Sequence, residues 1–133
     1  MNFYIASSFK NKGSVQRLAK LLEKQGHIHT YDWTKNERAS SIQELKEIGQ
    51  CEKDGVQRAD LFILILPGGK GSHIEMGMAI AFEKKVYLYS ENSGLNDLQN
   101  TSAFYHLDRV DKFMGTLEEF FHYLMKCEVA THV

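Results

Sequence analysis

Cysteine is scarce: two in 133 residues, Cys51 and Cys127, far apart and in no CxxC spacing. Such a pair is expected as free thiols of a reducing compartment, not as a disulfide or metal framework. Positive charge is not in excess either. Sixteen Lys and Arg stand against seventeen Asp and Glu, a formal charge of −1. A nucleic-acid partner would call for a basic stripe, so none is expected. No apolar run approaches the roughly 18 residues of a membrane span, and the opening MNFYIASSFKNKG is too short in apolar length for a signal peptide. The chain is therefore read as cytoplasmic, without a membrane partner. With no repeat, low-complexity tract or linker, residues 1–133 are read as one domain, long enough to bury about two-thirds of its unfolded surface.

What is present alternates in character. Phe3 to Ala6 is a short apolar run suited to a buried strand. Val15, Leu18, Ala19, Leu21 and Leu22 share a helical face, closed by Lys24-Gln25-Gly26. His27 to Tyr31 reads as a second strand. Ser40 or Ser41 caps a helix running to Arg58, with a bend possible at Gly49. Residues 60–66 contain six consecutive apolar residues stopped by Pro67-Gly68-Gly69, the mark of a strand buried on both faces. A helix is predicted from near Ser72 to Lys84, then a strand over Val86 to Tyr89. Residues 90–109 are polar, with a helical piece near Leu95 to Tyr105. A weak strand at Lys112 to Met114 precedes a final helix, whose start carries Thr116 and Glu119 in capping-box spacing.

Strands alternating with helices predict an α/β, flavodoxin- or Rossmann-like three-layer sandwich. Its five-stranded parallel sheet is expected in the order 2-1-3-4-5. Ligands bind such sheets at the carboxyl ends of the strands, where the strand order reverses. The loops at that edge are Ser7 to Gly13, Asp32 to Ala39 and Pro67 to Ser72.

The glycines of PGGKGS let a ligand approach the backbone, and the helix start offers unpaired N–H groups to an anion. The spacing is not that of a Walker loop. Glu75 follows, in the predicted first turn. A carboxylate there can attack an anomeric carbon and form a glycosyl ester, and the helix end is expected to keep it ionised. Phe9 and Trp33, on rim loops, are candidates to stack on a nucleobase. His27 and His29 alternate along a strand but have no third metal ligand, so neither a metal nor a cofactor is expected.

The segment ADLFILILPGGKGSHIEMGMAIAFEKKVYLYS resembles the nucleoside 2-deoxyribosyltransferase family, as does the opening Tyr4-Ile5-Ala6-Ser7-Ser8-Phe9-Lys10. The resemblance implies an N-glycosidase or glycosyltransferase acting on nucleosides or their 5′-monophosphates through a covalent glycosyl-glutamate. It implies Glu75 as nucleophile, Tyr4 beside the reacting sugar, and Glu52 where the family has an aspartate, with Asp54 as the alternative. One branch hydrolyses 2′-deoxynucleoside 5′-monophosphates. By resemblance to it, Ser8 and Lys10 hold phosphate with the turn residues Gly71 and Ser72, next to Ser7. Ser102 resembles a serine donated by a neighbouring subunit, which implies a homodimer or higher oligomer with shared sites. Gly69 stands where the transferase branch has a base-reading aspartate, so base choice does not carry over. PGGKGSHIE also resembles the PGGxGTxxE signature of cytokinin-type phosphoribohydrolases. A nucleotide-sensing module and a TIR-like NAD glycohydrolase are the remaining alternatives.

Overall fold

The computed structural model describes residues 1–131. Its strands are β1 (Asn2–Ala6), β2 (Ile28–His29), β3 (Leu61–Ile65), β4 (Lys85–Ser90) and β5 (Val110–Met114). All pair in parallel, in the order β2-β1-β3-β4-β5. The helices are α1 (Lys12–Lys24), α2 (Ile42–Arg58), α3 (Lys70–Ala81) and α4 (Leu117–Thr131). The expected fold class is the observed one.

The pleat distributes the side chains. Alternate residues of a strand point to opposite faces, so Phe3 and Ile5 go one way and Tyr4 and Ala6 the other. On the first face, Tyr87 and Tyr89 of β4 pack on Phe120 of α4, and α4 in turn contacts α1. On the second, Tyr4 stacks on Phe62, its partner across β3, beneath α2 and α3, which contact one another. β3 is buried along its whole length, as its unbroken apolar run requires. Phe120 and Phe121 are both buried within the monomer.

Boundaries moved where local chemistry outweighed periodicity. α1 begins three residues before Val15 and is followed by Gly26 at φ 86°, a left-handed position suited to glycine. β2 has shrunk to two residues because the chain leaves the sheet edge at Thr30, whose hydroxyl donates to the Gly55 carbonyl. α2 runs through Gly49 without a break, capped by the Ser41 hydroxyl accepting from the Glu44 N–H. The polar stretch after β4 holds two short 3-10 turns, Ser93–Asn96 and Ala103–His106. The Thr116 capping box forms, each of its residues accepting from the other's N–H.

Candidate active site

α3 begins at Lys70, two residues ahead of expectation, because Gly69 serves as its N-cap. The Ser72 hydroxyl, 2.7 Å from the Gly69 nitrogen, accepts from it and donates back to the Gly69 carbonyl at 2.9 Å. Two consequences follow. Ser72 is buried with its hydroxyl consumed in capping, so its side chain is not the free phosphate contact the sequence suggested. Glu75 lies in the second turn of the helix, not the first, where the helix-end field has already decayed.

That shift changes the electrostatics of Glu75. Only 6% of it is exposed. Burial first, and the neighbouring Glu52 second, push its carboxyl up to about 9, while a hydrogen bond from Tyr4 pulls the other way. The expectation of an ionised carboxylate held by the helix end is therefore corrected: desolvation and a like charge outweigh the dipole. The Tyr4 hydroxyl donates to Oε2 of Glu75. Burial and the Glu75 charge hold that phenol far above its ordinary range, so it remains a donor.

α2 supplies the third member. Glu52, half-buried, reaches Glu75, whereas Asp54 is solvent-exposed and accepts from Gln50 at 3.0 Å. That contact favours the protonated form of Glu75, which can then donate to the Glu52 carboxyl. α2 lies this close because residue 55 is glycine. A Cβ there would stand 2.9 Å from the Tyr31 Cβ and 3.1 Å from the Tyr4 ring. Sequence reading passed over Gly55, since a helical glycine signals nothing until the ring beneath it is known.

The β1–α1 loop forms the adjoining rim. The Ser7 hydroxyl donates to the Ile65 carbonyl at 2.7 Å and accepts from Asn11, whose amide also donates to the Pro67 carbonyl. Ser7 thus ties this loop to the glycine turn. The Ser8 Oγ is buried and has no hydrogen-bond partner among the described residues, and Lys10 is exposed. Trp33 is not an open stacking surface. It is buried, its indole N–H donating to the Ile5 carbonyl at 2.6 Å, and it supports the ring of Phe9 edge-on. Phe9, 65% exposed, is the aromatic free to meet a ligand. Gly69 and Gly71 meet nothing where a Cβ would stand.

Beyond the Pro67-Gly68 turn, a cleft of ≈ 630 Å³ opens between that turn, Asn11, Asn92 and Ser102. Ser102 therefore lies on the wall of a different recess from the Tyr4–Glu75–Glu52 cluster, which does not line it. Among the described residues no group of three or more His, Cys, Asp or Glu is arranged to hold a metal ion.

In the parallel 2-1-3-4-5 sheet two carboxyls meet above the central strands, an arrangement that makes this face of the α/β fold the candidate active site. The chain matches the model of the nucleoside 2-deoxyribosyltransferase family over residues 3–124 and belongs to that family. Its activity is accordingly of the nucleoside 2-deoxyribosyltransferase class. Among solved structures it is similar to the CMP N-glycosidase BcmB of Clostridium botulinum, with 22% identity, a TM-score of 0.62, and coverage of 93% of this chain and 98% of that one. It is also similar to a 2-deoxyribosyltransferase of Bacillus psychrosaccharolyticus, with 17% identity, a TM-score of 0.66, and coverage of 91% and 90%. At these identities the likeness to the two structures establishes the fold. No curated protein sequence matches the chain.

Proposed function

We propose that this chain cleaves the N-glycosidic bond of nucleoside 5′-monophosphates by double displacement, with Glu75 as nucleophile. The observation that carries the reading is the contact of Tyr4, Glu75 and Glu52 above the central strands β1 and β3. In the first step a Glu75 carboxylate oxygen bonds to C1′ as the C1′–N bond breaks. The proton that burial keeps on Glu75 passes through the Glu52 carboxyl to the departing base. The Tyr4 hydroxyl orients Glu75 throughout. In the second step water attacks C1′, Glu52 takes its proton, and Glu75 leaves as a carboxylate. A second base in place of water gives exchange.

The partnerless Ser8 hydroxyl, the exposed Lys10 and the α3 start favour a phosphate on the substrate. Monophosphates and the matching nucleosides, each incubated with enzyme and followed by chromatography for free base, test this. Base release from monophosphates is expected, with Lys10→Ala raising KM for them and leaving nucleosides unaffected. Absence of free base from every member at high enzyme concentration would overturn the reading.

A homodimer is part of the same proposal. Ile74 and Phe82 are exposed at 62% and 40%, with Met78 half-buried between them on one stripe of α3. Ile42 and Leu45 are exposed on neighbouring α2. From Gly71 to Phe82 the helix carries no Lys, Arg or Asp, and its one glutamate is buried. Exposed apolar side chains concentrated on one face in this way favour an interface between copies.

A further inference from the structure

His73, two residues before Glu75, is absorbed by none of these steps, yet both its ring nitrogens are engaged. Nδ1 lies 2.8 Å from the Gly69 carbonyl oxygen, which can only accept, so Nδ1 carries the hydrogen and donates. Nε2, 2.6 Å from the Tyr105 hydroxyl, then accepts from it. Burial holds the Tyr105 phenol above its ordinary range and so keeps it a donor. The rings also stack, with centroids 5.8 Å apart. Beneath them the turn leaves no slack: a Cβ on Gly68 would stand 2.6 Å from the Ser72 Oγ and 3.1 Å from the His73 ring.

The far end of this bridge is the long connection between β4 and β5. Tyr105 is buried, while Phe104 and His106 on either side of it are exposed. Its backbone N–H donates to the Ser102 carbonyl at 3.1 Å, and the Ser102 hydroxyl caps the same turn by accepting from the Phe104 N–H. Tyr105 and Ser102 therefore move as one unit. That unit, with Asn100, forms the wall of the cleft that faces Pro67 and Gly68.

We propose that His73 and Tyr105 are a positioning pair, latching the wall of residues 91–105 to the glycine turn and so fixing that turn, the proposed seat of the substrate phosphate, rather than shaping the carboxyl cluster. The proposal rests on the glycosidase reading for its kinetic consequence and on geometry alone for the latch. Neither residue touches the reacting atoms, so the latch acts on binding and not on the chemical step.

Two substitutions break the same bond from opposite ends. Tyr105→Phe removes the hydroxyl and keeps the ring. His73→Asn keeps a donor near the Nδ1 position, for Gly69, and removes the acceptor at Nε2. Each is expected to raise KM by about fivefold, the fold-change of one neutral hydrogen bond, with kcat within about twofold. The double variant is expected to be no worse than either single one, because both remove one interaction. Amide hydrogen exchange in residues 97–105 is expected to quicken in both variants while the amides of β3 stay protected. Unchanged exchange in Tyr105→Phe overturns the latch, and this holds even where the wild type releases no base. Quickened exchange with unchanged KM, or a fall in kcat alone, overturns its role in holding substrate.

Discussion

A glutamate is found at many helix starts for electrostatic reasons alone, and what separates Glu75 from those is its burial. Unfolded, its carboxyl releases a proton at the ordinary glutamate value of 4.5; folded, at about 9. Between those values the folded state binds more protons than the unfolded one, so stability falls as pH rises. The favourable contribution is whole below about 4.5 and gone once pH passes about 9. Glu75→Gln removes this slope, its amide accepting from Tyr4 and donating to Glu52. The melting temperature of the variant relative to wild type is expected to rise steadily across that window; a constant difference would contradict it. Tyr4→Phe acts on the same group differently. The Tyr4 hydrogen bond pulls Glu75 down, so its loss is expected to move the acidic limb of the rate profile to higher pH. It should also slow base release by about 10- to 100-fold, the value of one hydrogen bond to a charged group.

At the scale of elements, α2 determines whether the two carboxyls meet. Its two glycines make opposite demands. Gly55 has no room for a Cβ above Tyr4 and Tyr31, while Gly49 has open space. Gly55→Ala is expected to cost about 1–3 kcal/mol through overpacking and to slow turnover by moving Glu52. Gly49→Ala is expected to stabilise by roughly 0.5–1 kcal/mol through helix propensity. Denaturant unfolding of both checks the pair, and the same sign for both would refute the packing argument. The strands and helices themselves were legible because apolar runs and helical stripes are local signals. β3 announced itself, and so did the Thr116 cap. The carboxylate partner was legible only to within two residues, Glu52 or Asp54, since helix phase relative to a distant strand is a tertiary fact. Trp33 and Ser72 were misread for a related reason. A sequence shows a side chain's chemistry but not whether an Ile5 carbonyl or a Gly69 N–H has already claimed it.

Over the whole molecule, the two faces of the sheet are finished to different degrees. The α1–α4 face closes over Phe120, Tyr87 and Tyr89, and Glu128, buried at its edge, accepts from Tyr87 and pairs with Lys85. The α2–α3 face, which carries the carboxyls, leaves Ile42 81% exposed and Ile74 and Phe82 in the open. A dimer across that face is expected in sedimentation velocity at micromolar concentration, with Phe82→Lys shifting it to monomer. A wild type that sediments as monomer would leave the stripe without the proposed partner. The central claim remains the role of Glu75, and quenching a reaction in acid during turnover tests it most directly. Mass analysis of the peptide bearing Glu75 is expected to show a sugar-phosphate adduct, absent from Glu75→Gln, which releases no base. Base release by Glu75→Gln at the wild-type rate, with no adduct on the wild-type peptide, would contradict the account.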